Sequence, residues 1–166
     1  MFTCGRAEPP CAAERHCMLK VLIAEDDLII AGMTEEVLVE GGFEVCGIAR
    51  TVGEAVALGR LHKPDLALLD VRLADGGFGT EVAAQLAAFG RIGVLYATGN
   101  SVNVMENAVE GDACIVKPYG LDDLVRALEI VAEIVATGTA SPPFPRGFDL
   151  LPRATRTAGH PEMRAS

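Results

Sequence analysis

Short apolar runs alternate along the chain with segments whose apolar residues recur at helical spacing, and the alternation repeats five times. Residues 19–24 (LKVLIA) predict a strand, and three acids follow it directly: Glu25, Asp26 and Asp27. Residues 28–40 place Ile29, Met33 and Val37 one helical turn apart, and Gly41-Gly42 stops that helix. A second strand is predicted over 43–49. Thr51 then caps a helix carrying Val52, Ala55, Val56 and Leu61, which His62-Lys63-Pro64 ends. The third strand, 65–69, leads into Asp70. An Ala-rich helix over 80–89 is closed by Gly90, and a fourth strand follows at 92–97. A weakly patterned helix is expected between Asn100 and Glu110, then a fifth strand at 113–116 closed by Lys117-Pro118. Leu121, Leu124, Val125, Leu128, Val131 and Val135 mark the last helix, with Asp122 and Asp123 favourably placed in its first turn.

Strands apolar on both faces, each returning through a helix, predict a parallel sheet covered on both sides. The fold class is therefore α/β, doubly wound, with five parallel strands. Residues 18–136 form the expected domain. Beyond it, 137–166 is rich in Pro, Gly and Arg without strand or helix period and is read as a flexible tail. Residues 1–17 carry no pattern; they are read either as a disordered leader or as lying ahead of a true start at Met18.

Charge narrows the function. The net charge is −9, and the domain is the acidic part, since residues 18–136 hold 19 acidic and 8 basic side chains, a balance of −11. Such a surface repels phosphate backbones, so direct nucleic-acid binding is not expected. No apolar run approaches the roughly 18 residues of a membrane span, and the first residues lack the apolar core of a signal peptide. A cytoplasmic location without membrane insertion is the expectation. The five cysteines are an odd number and suit free thiols. Cys4, Cys11 and Cys17 match no common zinc spacing, and Cys46 and Cys114 read as small core residues.

The candidate chemistry lies at strand ends. In a doubly wound sheet the carboxyl ends of the strands border one crevice. Glu25 and Asp26 leave strand one, Asp70 strand three, Thr98 strand four and Lys117 strand five. Clustered carboxylates repel one another unless a cation sits among them, and an oxygen-only donor set suits Mg2+. A carboxylate is also a nucleophile able to form an aspartyl phosphate. An ammonium and a hydroxyl nearby suit the charge that develops on a transferring phosphoryl group. Singly, each residue has an ordinary reading: Asp70 as a turn or cap, Thr98 as a strand-end hydroxyl, Lys117 as an exposed lysine. Their conjunction at matching strand ends is the signal.

Four motifs in order, VLIAEDD at 21–27, PDLALLDV at 64–71, VLYATG at 94–99 and VKPY at 116–119, resemble the receiver domain of two-component response regulators. The resemblance spans about residues 18–136 and is to the stand-alone, single-domain type. It implies the flavodoxin-like (βα)5 fold with strand order 2-1-3-4-5. It also implies Asp70 as phosphoacceptor, Thr98 as switch hydroxyl and Lys117 as phosphate contact. The implied Mg2+ ligands are Glu25, Asp26, Asp70 and the backbone carbonyl of Arg72; Asp27 is the alternative for one of the acidic pair. The implied phosphodonor is a sensor histidine kinase or a histidine phosphotransfer protein, and output runs through contact with a downstream protein target. No catalytic turnover beyond self-phosphorylation and autodephosphorylation is expected. The aromatic residue that such domains carry two or three positions before the lysine is absent, Cys114 and Ile115 standing there.

Two readings from other function classes stand beside this one. An aspartate-nucleophile phosphatase needs a general acid two residues after the nucleophile, and Arg72 occupies that position. A phosphate-independent interaction module on the same fold remains the alternative. Gly76, Gly77 and Gly79 lack the G-K-[ST] of a nucleotide loop and are expected to permit positive φ beside the site. Tyr119 is expected to pack at the domain edge.

Overall fold

A computed structural model of the chain describes residues 18–152 except 102, 103, 105 and 107–109. The elements are β1 (Lys20–Ala24), α1 (Leu28–Glu40), β2 (Glu44–Ala49), α2 (Val52–His62), β3 (Leu66–Asp70), α3 (Gly79–Leu86), β4 (Gly93–Thr98), β5 (Ala113–Val116), α4 (Leu121–Thr137) and β6 (Phe148–Leu150). The sheet order is β2-β1-β3-β4-β5-β6. Strands β1 to β5 run parallel and β6 pairs antiparallel with β5.

Alternation along each strand explains the two-sided cover. Val21 and Ile23 face a core shared with α1 and α4, together with Leu68, Leu95, Ile115 and Leu128. Leu22 and Ala24 face the opposite core, under α2 and α3, with Leu69, Val82, Leu86 and Tyr96. Thr51 caps α2 as expected, its hydroxyl accepting the Glu54 N–H at 3.2 Å, a bond of the kind that contributes about 1 kcal/mol.

Three expectations are corrected. The sheet has six strands rather than five, and part of the expected tail is ordered: residues 138–152 turn back from α4, and Phe148 and Leu151 are buried. A three-residue strand is too short to show a period in sequence; pairing with β5 creates it. The stripe on α1 is also different, because its buried residues are Ala31, Thr34 and Leu38, whereas Ile29 and Met33 are 75% and 55% exposed. That helix is apolar on more than one face, so spacing could not choose the one the sheet would cover. Of the three glycines after Asp70, only Gly76 has positive φ, at 72°. Gly79 is needed for space, since a Cβ there would overlap the backbone carbonyl oxygen of Asp70. The weakly patterned helix after Asn100 falls mostly outside the described residues, although Ser101, Val104 and Glu106 are helical. Residues 1–17 and 153–166 also lie outside the described residues.

A buried ion pair ties the start of β4 to the start of β5. Asp112, fully buried, accepts two Arg91 guanidinium N–H bonds at 2.7 and 3.1 Å and the Val94 N–H at 2.8 Å. Removing the guanidinium takes from a buried carboxylate the two hydrogen bonds and the positive charge that Arg91 supplies, which is strongly destabilising. Arg91→Ala is therefore expected to lower unfolding free energy by about 3 kcal/mol, the low end for such pairs because the Arg91 side chain is 41% exposed. Urea unfolding of both proteins checks this, and a loss below about 1 kcal/mol would mark the pair as equivalent to a surface bridge.

Candidate functional site

The sheet brings every predicted site residue to its carboxyl edge. Glu25 and Asp26 follow β1, Asp70 ends β3, Thr98 ends β4 and Lys117 follows β5. One carboxylate oxygen from each of Glu25, Asp26 and Asp70 lies within 4.8 Å of the others. An open cleft of about 420 Å3 is lined by Asp26, Asp70, Val71, Arg72, Thr98 and Gly99, among others. Asp27 is occupied differently: its carboxylate accepts the Ile29 and Ile30 N–H groups at 2.9 and 3.3 Å and caps α1. That use separates it from the cluster.

Lys117 is the cation that two of the carboxylates share. Its ammonium donates to Asp70 Oδ2 at 3.0 Å and to Glu25 Oε2 at 3.2 Å. The second Asp70 oxygen, Oδ1, accepts the Arg72 backbone N–H at 3.3 Å. Burial alone would pull the lysine's pKa down; the Asp70 hydrogen bond and the charges of Asp70 and Glu25 outweigh it and leave the pKa raised. Lys117 is thus cationic at neutral pH. The Glu25 pKa is raised as well, which for a carboxylate disfavours the charged form: burial raises it, and the Asp27 N–H and the Lys117 charge offset this only in part.

Thr98 is buried and engaged with Asn100, whose N–H donates to Thr98 Oγ1 at 3.1 Å while that hydroxyl donates to the Asn100 carbonyl at 3.0 Å. The Lys117 N–H donates to the Thr98 carbonyl at 2.7 Å, so the ends of β4 and β5 are tied directly behind the site.

Three neighbours escaped the sequence reading. Arg50, just past β2, donates from Nε to the Asp26 carbonyl at 3.3 Å and so holds the loop that carries an acid of the cluster. Its position at a strand end was the available signal. Asn100 is the partner of Thr98. Tyr119, half-buried against the α4-side core, is raised in pKa by burial and feels the charges of Lys117, Glu25 and Asp70; it borders the site rather than only the domain edge. Cys114 is buried, and burial pushes its thiol up to about 11, as befits an inert core residue. Cys46 is partly buried and likewise raised by burial. No helix among the described residues is long and apolar enough to cross a membrane.

Comparison with known proteins agrees with this architecture. The family model of the response regulator receiver domain matches residues 21–129. The transcriptional regulatory protein PdtaR of Mycobacterium tuberculosis is 34% identical over 125 residues, covering 74% of this chain and 60% of that protein. The chain thus spans less than two thirds of that relative's length. The chemotaxis protein CheY of Bacillus subtilis is 31% identical over 113 residues, covering 66% of this chain and 93% of CheY. Among solved structures, a CheY-like receiver domain protein from Methanospirillum hungatei superposes with a TM-score of 0.63 at 26% identity, covering 74% of this chain and 99% of that one. With five parallel strands in the order 2-1-3-4-5, an acidic cluster at their carboxyl ends and these matches, the chain belongs to the response regulator receiver domain family.

Proposed function

We propose that this receiver domain accepts a phosphoryl group on Asp70 from the phosphohistidine of a sensor histidine kinase or a histidine phosphotransfer protein, with Mg2+ bound beside it. The observation that carries the reading is Asp70 itself, a strand-end carboxylate that opens on the cleft, paired with Lys117 at 3.0 Å and grouped with two further acids. In the transfer an Asp70 oxygen attacks phosphorus and the phosphorus–nitrogen bond of the donor breaks. The electron pair stays on the departing imidazole, which takes a proton from solvent. No proton is needed from Asp70.

The donor set fits a hard divalent cation: oxygen ligands only, clustered closely enough to repel without one. Glu25, Asp26, Asp70 and the Arg72 carbonyl would hold Mg2+. When bound, the ion neutralises charge on the transferring phosphoryl oxygens. Lys117 supplies a second positive charge to the same oxygens, and Thr98 a hydrogen bond once its hydroxyl leaves Asn100. Leu28, Ile29 and Met33 expose an apolar face of α1 next to Asp26 and Asp27, a surface suited to the protein that delivers the phosphoryl group. The proposal places this exchange in the cytoplasm, assigns no turnover of other substrates to the chain, and routes output through a protein target rather than nucleic acid.

The test is intact-protein mass spectrometry after incubation with acetyl phosphate, with and without magnesium. One magnesium-dependent phosphoryl adduct is expected. No adduct, with metal binding shown by calorimetry, would replace the reading with a phosphate-independent interaction module.

The raised pKa of Glu25 gives a pH expectation. A protonated Glu25 offers no anionic oxygen, so acidification weakens magnesium binding from above the ordinary glutamate value of 4.5. The stability contribution of this group runs the opposite way: it is present below 4.5 and lost as pH rises through the raised folded value. Calorimetric titrations across pH 4–7 check the first statement; Glu25→Gln should bind more weakly with a flatter profile, and an affinity constant down to 4.5 would contradict it.

A further inference from the structure

The segment from Gly138 to Pro152 leaves α4 and returns as a strand along the open edge of β5. Ile115 pairs with Phe148, Cys114 with Asp149 and Ala113 with Leu150. The Val116 N–H donates to the Gly147 carbonyl and the Leu151 N–H to the Asp112 carbonyl, both at 2.9 Å. Its outer half is tied to α4: Arg126 donates to the carbonyls of Ser141 and Pro143 at 2.8 and 3.3 Å, and Glu133 accepts the Ser141 N–H at 3.1 Å. Phe144 stacks on Phe148 with ring centroids 5.7 Å apart.

This strap reaches both cores. Phe148 enters the core on the α4 side, and Leu151 enters the opposite one with Tyr96, Val104 and Cys114. Leu151 packs there close to Gly111, where an added Cβ would overlap both the Leu151 and the Tyr96 side chains. The strap also ends where the site begins. Gly147 is bonded to Val116, the neighbour of Lys117, whose own N–H is bonded to Thr98.

We propose that residues 138–152 are a displaceable strap over the β5 edge, released when Asp70 is phosphorylated, and that the uncovered edge takes an extended strand of a protein partner. The inference rests on phosphoryl acceptance by Asp70. In the present state Lys117 reaches Asp70 and Glu25, while Thr98 turns its hydroxyl to Asn100. Phosphoryl oxygens on Asp70 draw both side chains to themselves, and the 116–117 end of β5 moves with them because it is bonded to the Thr98 carbonyl. The first strap bond in that path is Val116 to Gly147. A three-residue strand is a short closure, so a modest difference between the two states suffices to shift it. The uncovered edge presents unpaired backbone groups, the requirement for strand addition. The partner chemistry is read from what the edge already holds: the apolar–acidic–apolar–apolar order of Phe148, Asp149, Leu150 and Leu151.

The experiment uses the full chain with magnesium, with and without acetyl phosphate, and follows the Asp70 adduct by mass. Amide exchange at Val116 and Leu151 and binding of a labelled synthetic peptide of residues 145–152 are read on the same samples. At least tenfold faster exchange at both amides, and at least tenfold tighter peptide binding, are expected only in the phosphorylated chain. Arg126→Ala removes two of the three hydrogen bonds of the outer tether, leaving the one from Ser141 N–H to Glu133, without touching either core. It should bind the peptide more tightly before phosphorylation and, by reciprocity of coupling, reach a higher adduct level at limiting donor. An adduct with unchanged exchange and no peptide binding overturns the strap and leaves phosphoryl acceptance standing. Absence of any adduct overturns both.

Discussion

Asp70→Asn is expected to yield no phosphoryl adduct under the acetyl phosphate and magnesium conditions proposed for the native chain, and to fold. The amide oxygen lacks the anionic nucleophilicity that attack on phosphorus requires, so the expected loss is complete rather than partial. The fold is preserved because the substitution keeps the shape of the side chain and leaves an oxygen able to accept the Lys117 bond now made at 3.0 Å. It also removes one of three mutually repelling charges. Stability within about 1 kcal/mol of native is expected, the range of substitutions that break no buried network. Mass spectrometry and urea unfolding on one preparation measure both halves. An adduct that persists on the variant would move the acceptor to another residue.

Lys117→Ala separates the anion from the cation side of the site. Removing one charged donor from a developing phosphoryl charge slows reaction on the order of 100-fold, so adduct formation from acetyl phosphate should fall by about that factor. Magnesium affinity should hold or rise, because the ammonium that now occupies oxygens of Asp70 and Glu25 no longer competes for them. Calorimetry and the rate of adduct growth give the two numbers. A variant that loses magnesium in step with rate would show that Lys117 builds the acidic cluster rather than serving the phosphoryl group.

Legibility differed between parts of the molecule for identifiable reasons. The five parallel strands and the strand-end residues were readable because each rests on local chemistry: an apolar β-favouring run, then a charged or hydroxyl residue where the strand leaves the core. The caps were equally local, as with Thr51. Helix α1 was readable as a helix but not in its rotation, since Ile29 and Met33 have the same spacing as a core stripe and yet face outward. Strand β6 was unreadable. Its three residues, set among prolines and glycines, have no period, and their burial depends on an edge supplied by a segment more than thirty positions earlier.

The sequence by itself determined the fold class and which strand ends carry acids, a hydroxyl and a lysine, because parallel strands with covering helices admit few arrangements and place their ends together. The strand order 2-1-3-4-5 is what the resemblance of the four motifs implies and the sheet bears out. Tertiary structure alone decided that Asp26 joins the acidic cluster while Asp27 caps a helix, that Arg50 and Tyr119 border the site, and that the chain's own strap closes the β5 edge. Each of these depends on distances between residues far apart in sequence, where several pairings have similar local propensity and packing selects among them.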